Sequence, residues 1–164
     1  MEINEKLENL KKLKKELRSK RTELDDASSD LFDSWCKDFF TKNSDVIESF
    51  AWNQYTPYFN DGDATVFSAN TDYIKVNDVY CDELENIQKI KVTNWGTWNR
   101  VTKKYDNRVE FENPNYDERL DNLVTEIKDF LQLFDDDFYL SKYGDHTEIT
   151  VTKNGVDVDE YDHD

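Results

Sequence analysis

The sequence predicts an α+β fold, and three observations carry that prediction. A leucine repeat with helical spacing opens the chain. An aromatic-rich stretch around an Asp-Gly pair occupies its middle. A strongly amphipathic segment followed by alternating apolar and polar residues closes it. The expected architecture is a long N-terminal helix within a helical pair, a central antiparallel β-hairpin sheet, and a C-terminal helix packed on a three-stranded β-meander. Residues 1–27 read as a helical arm with a coiled-coil-like seam, and residues 28–164 as a single α+β domain.

The arm contains neither Gly nor Pro through residue 26. Ile3, Leu10, Leu17 and Leu24 recur every seven residues and Leu13 fills an intermediate position. That repeat is the seam of a coiled coil, weakened where Lys6, Lys20 and Ala27 take the remaining positions. So narrow an apolar stripe needs a partner helix, either in another molecule or folded back from the same chain. Asp25-Asp26-Ala27-Ser28-Ser29 supplies breakers and N-cap candidates, so a second helix is expected after it. Leu31, Phe32, Trp35, Cys36, Phe39 and Phe40 follow helical spacing and form a face suited to the core.

The central stretch, Trp52 to Asp63, reads WNQYTPYFNDGD. Asp61-Gly62 is a favoured tight turn, and aromatic or β-branched residues on both sides predict strands of roughly 51–60 and 64–70. Pro57 removes a backbone donor and belongs at an edge or a strand end. Trp52, Gln54, Tyr55, Tyr58, Asn60, Asp61 and Asp63 are candidate binding residues of a polar, aromatic-walled surface or pocket. The same amides and carboxylates also serve simply to satisfy an irregular turn. No complete calcium loop follows Asp61 and Asp63. Trp95 and Trp98 join the candidate set, as an exposed recognition surface or as packing against a sheet.

WNQYTPYFNDGD followed by TVFS resembles a motif of uncharacterised small proteins of tailed bacteriophages and some bacteria. The ending GVDVDEYDHD is similar to the ending of many of those proteins. The resemblance implies a phage or bacterial origin and supplies no catalytic residues.

Asn115 with Glu118 forms a capping-box-like start for a helix over 116–134. Leu120, Leu123, Val124, Ile127, Phe130, Leu131 and Phe134 give it one apolar face. Asp135-Asp136-Asp137 opposes the dipole at a helix C-terminus and is expected to end it. Residues 138–143, 147–153 and 156–161 then read as the meander, with Asn154-Gly155 as a two-residue hairpin turn. Asp157, Asp159, Glu160, Asp162 and Asp164 make an acidic tail that discourages edge-to-edge pairing. It can also present a phosphate-like ladder, or gather a divalent cation with His163.

The formal net charge is −16, which repels nucleic-acid phosphate and anionic membranes. Direct nucleic-acid binding and membrane association are therefore not expected. Residues 1–21 hold eight Lys/Arg against four Asp/Glu, a net of +4; the rest hold thirteen against thirty-three, a net of −20. The expected partner is a host protein with a basic surface, with homo-oligomerisation through the N-terminal helix as a further expectation. The composition shows no disulfide framework, signal peptide or membrane span, and the expected compartment is the cytoplasm. No nucleotide loop, nucleophile elbow or zinc motif occurs, so no cofactor and no catalytic residue is expected, and the metal question is open. The leading function is an acidic interaction protein that inhibits or modulates a host protein, with nucleic-acid mimicry as one form of it. The alternatives are a small-ligand or divalent-metal-binding domain and a metal-dependent hydrolase built on Asp61 and Asp63.

Overall fold

The computed structural model describes residues 2–59 and 61–163. Two candidate residues, Asn60 and Asp164, lie outside the described residues. The fold is α+β. One helix, α1 (Glu2–Asn43), fills the first quarter of the chain. The break expected at 25–29 does not occur, so a continuous helix replaces the helical pair. Asp and Ser are weak helix formers but cost at most about 0.7 kcal/mol each in a helix interior. The packing of Phe32, Cys36, Phe39 and Phe40, all buried, outweighs that.

Among the described residues, ten strands follow in three sheets. The main sheet runs β10 (Gly155–Glu160), β9 (Thr147–Thr152), β1 (Ser49–Tyr55), β3 (Lys75–Val76), β4 (Val79–Tyr80), and β2 (Ser68–Ala69) pairs with the end of β1. All of its pairings are antiparallel. The central and C-terminal β regions are thus one sheet, with β1 in its middle. The remaining ladders are nested: β5 (Ile90–Asn94) pairs with β8 (Val109–Glu112), and β6 (Thr97–Asn99) with β7 (Lys104–Asp106). Together they form a two-stranded ribbon. Gly96 at its bend has φ +69°, and a Cβ there would meet the Asp106 carbonyl oxygen at 2.0 Å. No side chain larger than hydrogen fits that position.

The central hairpin is shorter than the sequence suggests. Its strands are Ser49–Tyr55 and Ser68–Ala69, paired at Gln54–Ala69 and Tyr55–Ser68, with the Asn70 N–H donating to the Asn53 carbonyl just beyond. The ladder stops because the Thr56 N–H donates to the Asp145 carboxylate at 2.8 Å instead of to a strand, and Pro57 has no N–H. The segment 138–143 is also corrected. It belongs to α3 (Asp136–Tyr143), not to a meander strand. The three acids that oppose the C-terminus of α2 (Glu118–Leu131) suit the N-terminus of the next helix. Asp135 caps α3, accepting a hydrogen bond from the Phe138 N–H at 2.9 Å. Asp117 rather than Asn115 caps α2, accepting from the Leu120 N–H at 3.0 Å.

The three helices cover one face of the main sheet. Along β1, Phe50, Trp52 and Gln54 point into the core, opposite Val151, Ile149 and Thr147 of β9. Phe32 of α1 sits at the centre, its ring against Trp52, Phe130, Phe134, Phe138 and Tyr143. Trp35 stacks on Phe130 at 3.8 Å. Cys36 and Cys81 are free and buried. Burial pushes the Cys36 thiol up to about 12 and raises that of Cys81, so both stay protonated and act as small apolar groups.

Candidate functional site

The register of the main sheet builds the site. Thr147, the first residue of β9, pairs with Gln54 on one side and Glu160 on the other. The residues just past these pairs therefore lie side by side at one end of the sheet: Tyr55 after Gln54, His146 before Thr147, Tyr161 after Glu160. The Tyr161 N–H donates to the His146 carbonyl at 2.8 Å and extends the pairing by one step.

Five rings meet there. The Tyr55 ring lies 3.9 Å from that of His163 and 5.6 Å from that of Tyr161. Tyr58 stacks on His146 at 4.9 Å and on His163 at 4.7 Å. His146 and His163, the only histidines in the chain, face each other with Nδ1 of the first 3.1 Å from Nε2 of the second. At that distance one nitrogen donates and the other accepts, so at least one of the two rings is neutral. Tyr58 is two-thirds exposed, so one side of the cluster opens to solvent.

Asp145 anchors the cluster. Its carboxylate accepts from the Thr56 N–H at 2.8 Å, the Thr56 hydroxyl at 2.7 Å and the His146 N–H at 2.9 Å. Burial tends to raise its pKa, but these hydrogen bonds and the His146 ring outweigh burial and hold it below the ordinary carboxylate value. A lowered folded value gives stability that is fully present above the unfolded pKa and is lost as pH falls through the folded one. Asp145→Asn is accordingly expected to lower the urea midpoint by a constant amount from neutral pH down to mildly acidic pH. The difference from wild type should shrink below about pH 4, where the carboxylate of the unfolded chain takes up its proton, and vanish as the folded one does. A difference that grows on acidification would contradict this assignment.

Trp52 and Gln54 do not belong to a surface. Trp52 is 1% exposed, and its indole N–H donates to the Gln54 side-chain oxygen at 3.2 Å. The Gln54 amide nitrogen donates to the carbonyls of Tyr139 at 3.1 Å and Gly144 at 2.5 Å. Both residues face the core because β1 alternates from Phe50. Their role is to hold α3 and the Gly144-Asp145 corner against the sheet. Tyr55 and Tyr58 are in the cluster. Asp61 and Asp63 lie in an exposed turn three residues and more beyond Tyr58, Asp61 with φ +38°.

Trp95 and Trp98 sit elsewhere, on the ribbon. They are 58% and 49% exposed, with Tyr105 against both rings and the Arg108 guanidinium 4.6 Å from the Trp95 ring. They pack on the ribbon itself and take no part in the core or the cluster. The seam residues Ile3, Leu10, Leu13, Leu17 and Leu24 are all exposed. Asp157, Asp159, Glu160 and Asp162 are exposed too, and among the described residues none of them has an ion-pair partner.

Comparison with family models, curated proteins and solved structures returns no match. Within the described residues no group of three or more His, Cys, Asp or Glu is placed to hold a metal ion. No described helix is long and apolar enough to cross a membrane. Thr56 belongs to the polar set that the sequence offers on the central hairpin; His146, Asp145 and Tyr161 are not candidates from sequence. Their available signal was the rarity of histidine together with its position beside hairpin ends.

Proposed function

We propose that this is an acidic interaction protein of phage type, acting in the host cytoplasm. In this reading it binds a basic surface of a host protein and inhibits or modulates it, in part by presenting carboxylates where nucleic-acid phosphate would lie. The supporting observation is the end of the main sheet. There an open cluster of Tyr55, Tyr58, Tyr161, His146 and His163 is continuous in the chain with Asp157, Asp159, Glu160 and Asp162, which lack ion-pair partners among the described residues. Ring faces and carboxylates together suit Arg and Lys side chains: the rings attract the cation over their faces and the acids supply net charge. The exposed seam of α1 gives a second surface, for pairing with another copy of the chain.

The test is affinity capture from host lysate, followed by titration of the captured protein against wild type and two variants. Asp157→Asn with Asp159→Asn should weaken binding at least tenfold and flatten its salt dependence, and Tyr58→Ala should weaken it without changing the salt slope. Binding that is indifferent to salt and to all three substitutions would overturn the reading. The His146–His163 pair favours a second reading, a small-ligand or divalent-metal site. Stabilisation of wild type by zinc or nickel that disappears in His163→Ala would move the assignment there.

A further inference from the structure

The first 27 residues of α1 carry an apolar stripe that the described chain leaves uncovered. Ile3, Leu10, Leu17, Leu24 and Leu31 each expose half or more of their surface. The stripe does not stop with the arm. Leu17 and Leu24 line one wall of a groove of about 510 Å3, and Leu133 and Phe134, between α2 and α3, line the other. Leu133 is 71% exposed. A helix laid along the stripe would cover both walls.

The charge along α1 says which helix. Residues 2–21 carry eight Lys/Arg and four Asp/Glu, whereas residues 23–33 carry Glu23, Asp25, Asp26, Asp30 and Asp33 and no Lys or Arg. Asp135 and Asp137 add acids to the groove, and the Arg21 guanidinium already pairs with Asp137. We propose that a second copy of this chain covers the stripe, with the two α1 helices antiparallel. This deepens the pairing named above for the seam.

Antiparallel packing lays the basic half of each helix over the acidic half of the other. A register that keeps the seam aligned sets Leu24 against Leu13 of the second copy, Leu10 against its Ala27 and Leu17 against the aliphatic stem of its Lys20. Lys11, Lys12 and Lys14 then run beside Asp26, Asp25 and Glu23. Parallel packing does the opposite. It stacks Lys6 on Lys6 and Lys20 on Lys20 in the seam, and it brings together two bodies (28–164) that each carry a net of −17. The arm, about 39 Å long at 1.5 Å per residue, keeps the bodies apart in the antiparallel arrangement.

The mass in solution tests the pairing. Sedimentation equilibrium should return twice the 19.6 kDa of one chain. Leu17→Glu with Leu24→Glu should halve that mass while the near-ultraviolet circular dichroism of the body stays unchanged, since both side chains lie outside the core. Zero-length coupling of amines to carboxylates, in a mixture of unlabelled and heavy-nitrogen chains, reads the orientation. Mixed-isotope links should join the Lys11–Lys15 segment to the Glu23–Asp33 segment. A monomeric wild type, or mixed links that join the Lys11–Lys15 segment only to Glu8 and Glu16, would overturn the proposal. Either result leaves the binding assay on Asp157 and Asp159 unaffected, because that assay reads side chains of β10 and not of α1.

Discussion

Replacing Gln54 by leucine is expected to destabilise the protein by about 3–5 kcal/mol, a large share of the roughly 5–15 kcal/mol that holds a domain folded. Leucine is larger than glutamine by about one methylene, so no cavity contributes. The loss comes from the buried Trp52 indole N–H, left without an acceptor, and from the carbonyls of Tyr139 and Gly144, which lose their shared amide donor. An unpaired buried donor costs about 1–3 kcal/mol, and each further hydrogen bond lost about 0.5–1.5 kcal/mol. Only an amide satisfies all three, because the indole needs an acceptor and the two carbonyls need donors. Gln54→Glu is expected to do as badly at neutral pH: its carboxylate serves the indole but faces both carbonyls with no proton to donate. Urea unfolding followed by tryptophan fluorescence measures the change. A loss under 1 kcal/mol for Gln54→Leu would show that the amide does not bridge these elements. Because Gly144 precedes Asp145 and His146, the same substitution should also loosen the ring cluster, visible as broadened His146 resonances in wild-type-like buffer.

Gln54 also shows where sequence reasoning stops. Its strand was legible, and so was the alternation of β1, but a polar residue in a strand that faces the core carries no local mark distinguishing it from one that faces water. The deciding partners, Tyr139 and Gly144, lie some ninety residues away. Short-range pattern came through in part: the break at 25–29 and the strand at 138–143 did not. The heptad spacing of α1, the apolar faces at 31–40 and 120–134, and the Asn154-Gly155 turn with Gly155 at φ +139° are all as the residues suggest. Phe138 and Leu140 alternate as in a strand, yet the Asp135 cap and adjacent buried side chains at 138 and 139 make a helix. The union of β1 with β9, and hence the meeting of His146 with His163, depends on register between distant segments. No local periodicity encodes that register.

Phe32→Ala is expected to be the most damaging single truncation on α1, at about 3–5 kcal/mol. Phe32 is fully buried, and its ring is the point where four elements join. Trp52 comes from β1, Phe130 from α2, Phe138 and Tyr143 from α3, with ring separations between 5.6 and 6.2 Å, and Phe134 from the turn between the two helices. Removing the ring forfeits its own burial and leaves a cavity that the rigid surrounding rings cannot close, which is why the upper part of the range applies. The Lys142 ammonium, 5.6 Å from the ring centre, also loses its cation–π partner. Lys37→Ala on the exposed side of the same helix should change stability by no more than about 0.5 kcal/mol. The contrast tests how α1 works. If the core half of the helix anchors the arm, Phe32→Ala should lower the thermal midpoint of the helical signal and of the tryptophan signal together. Loss of tryptophan signal with the helical signal intact would mean that the arm is held by its pairing partner rather than by its own core.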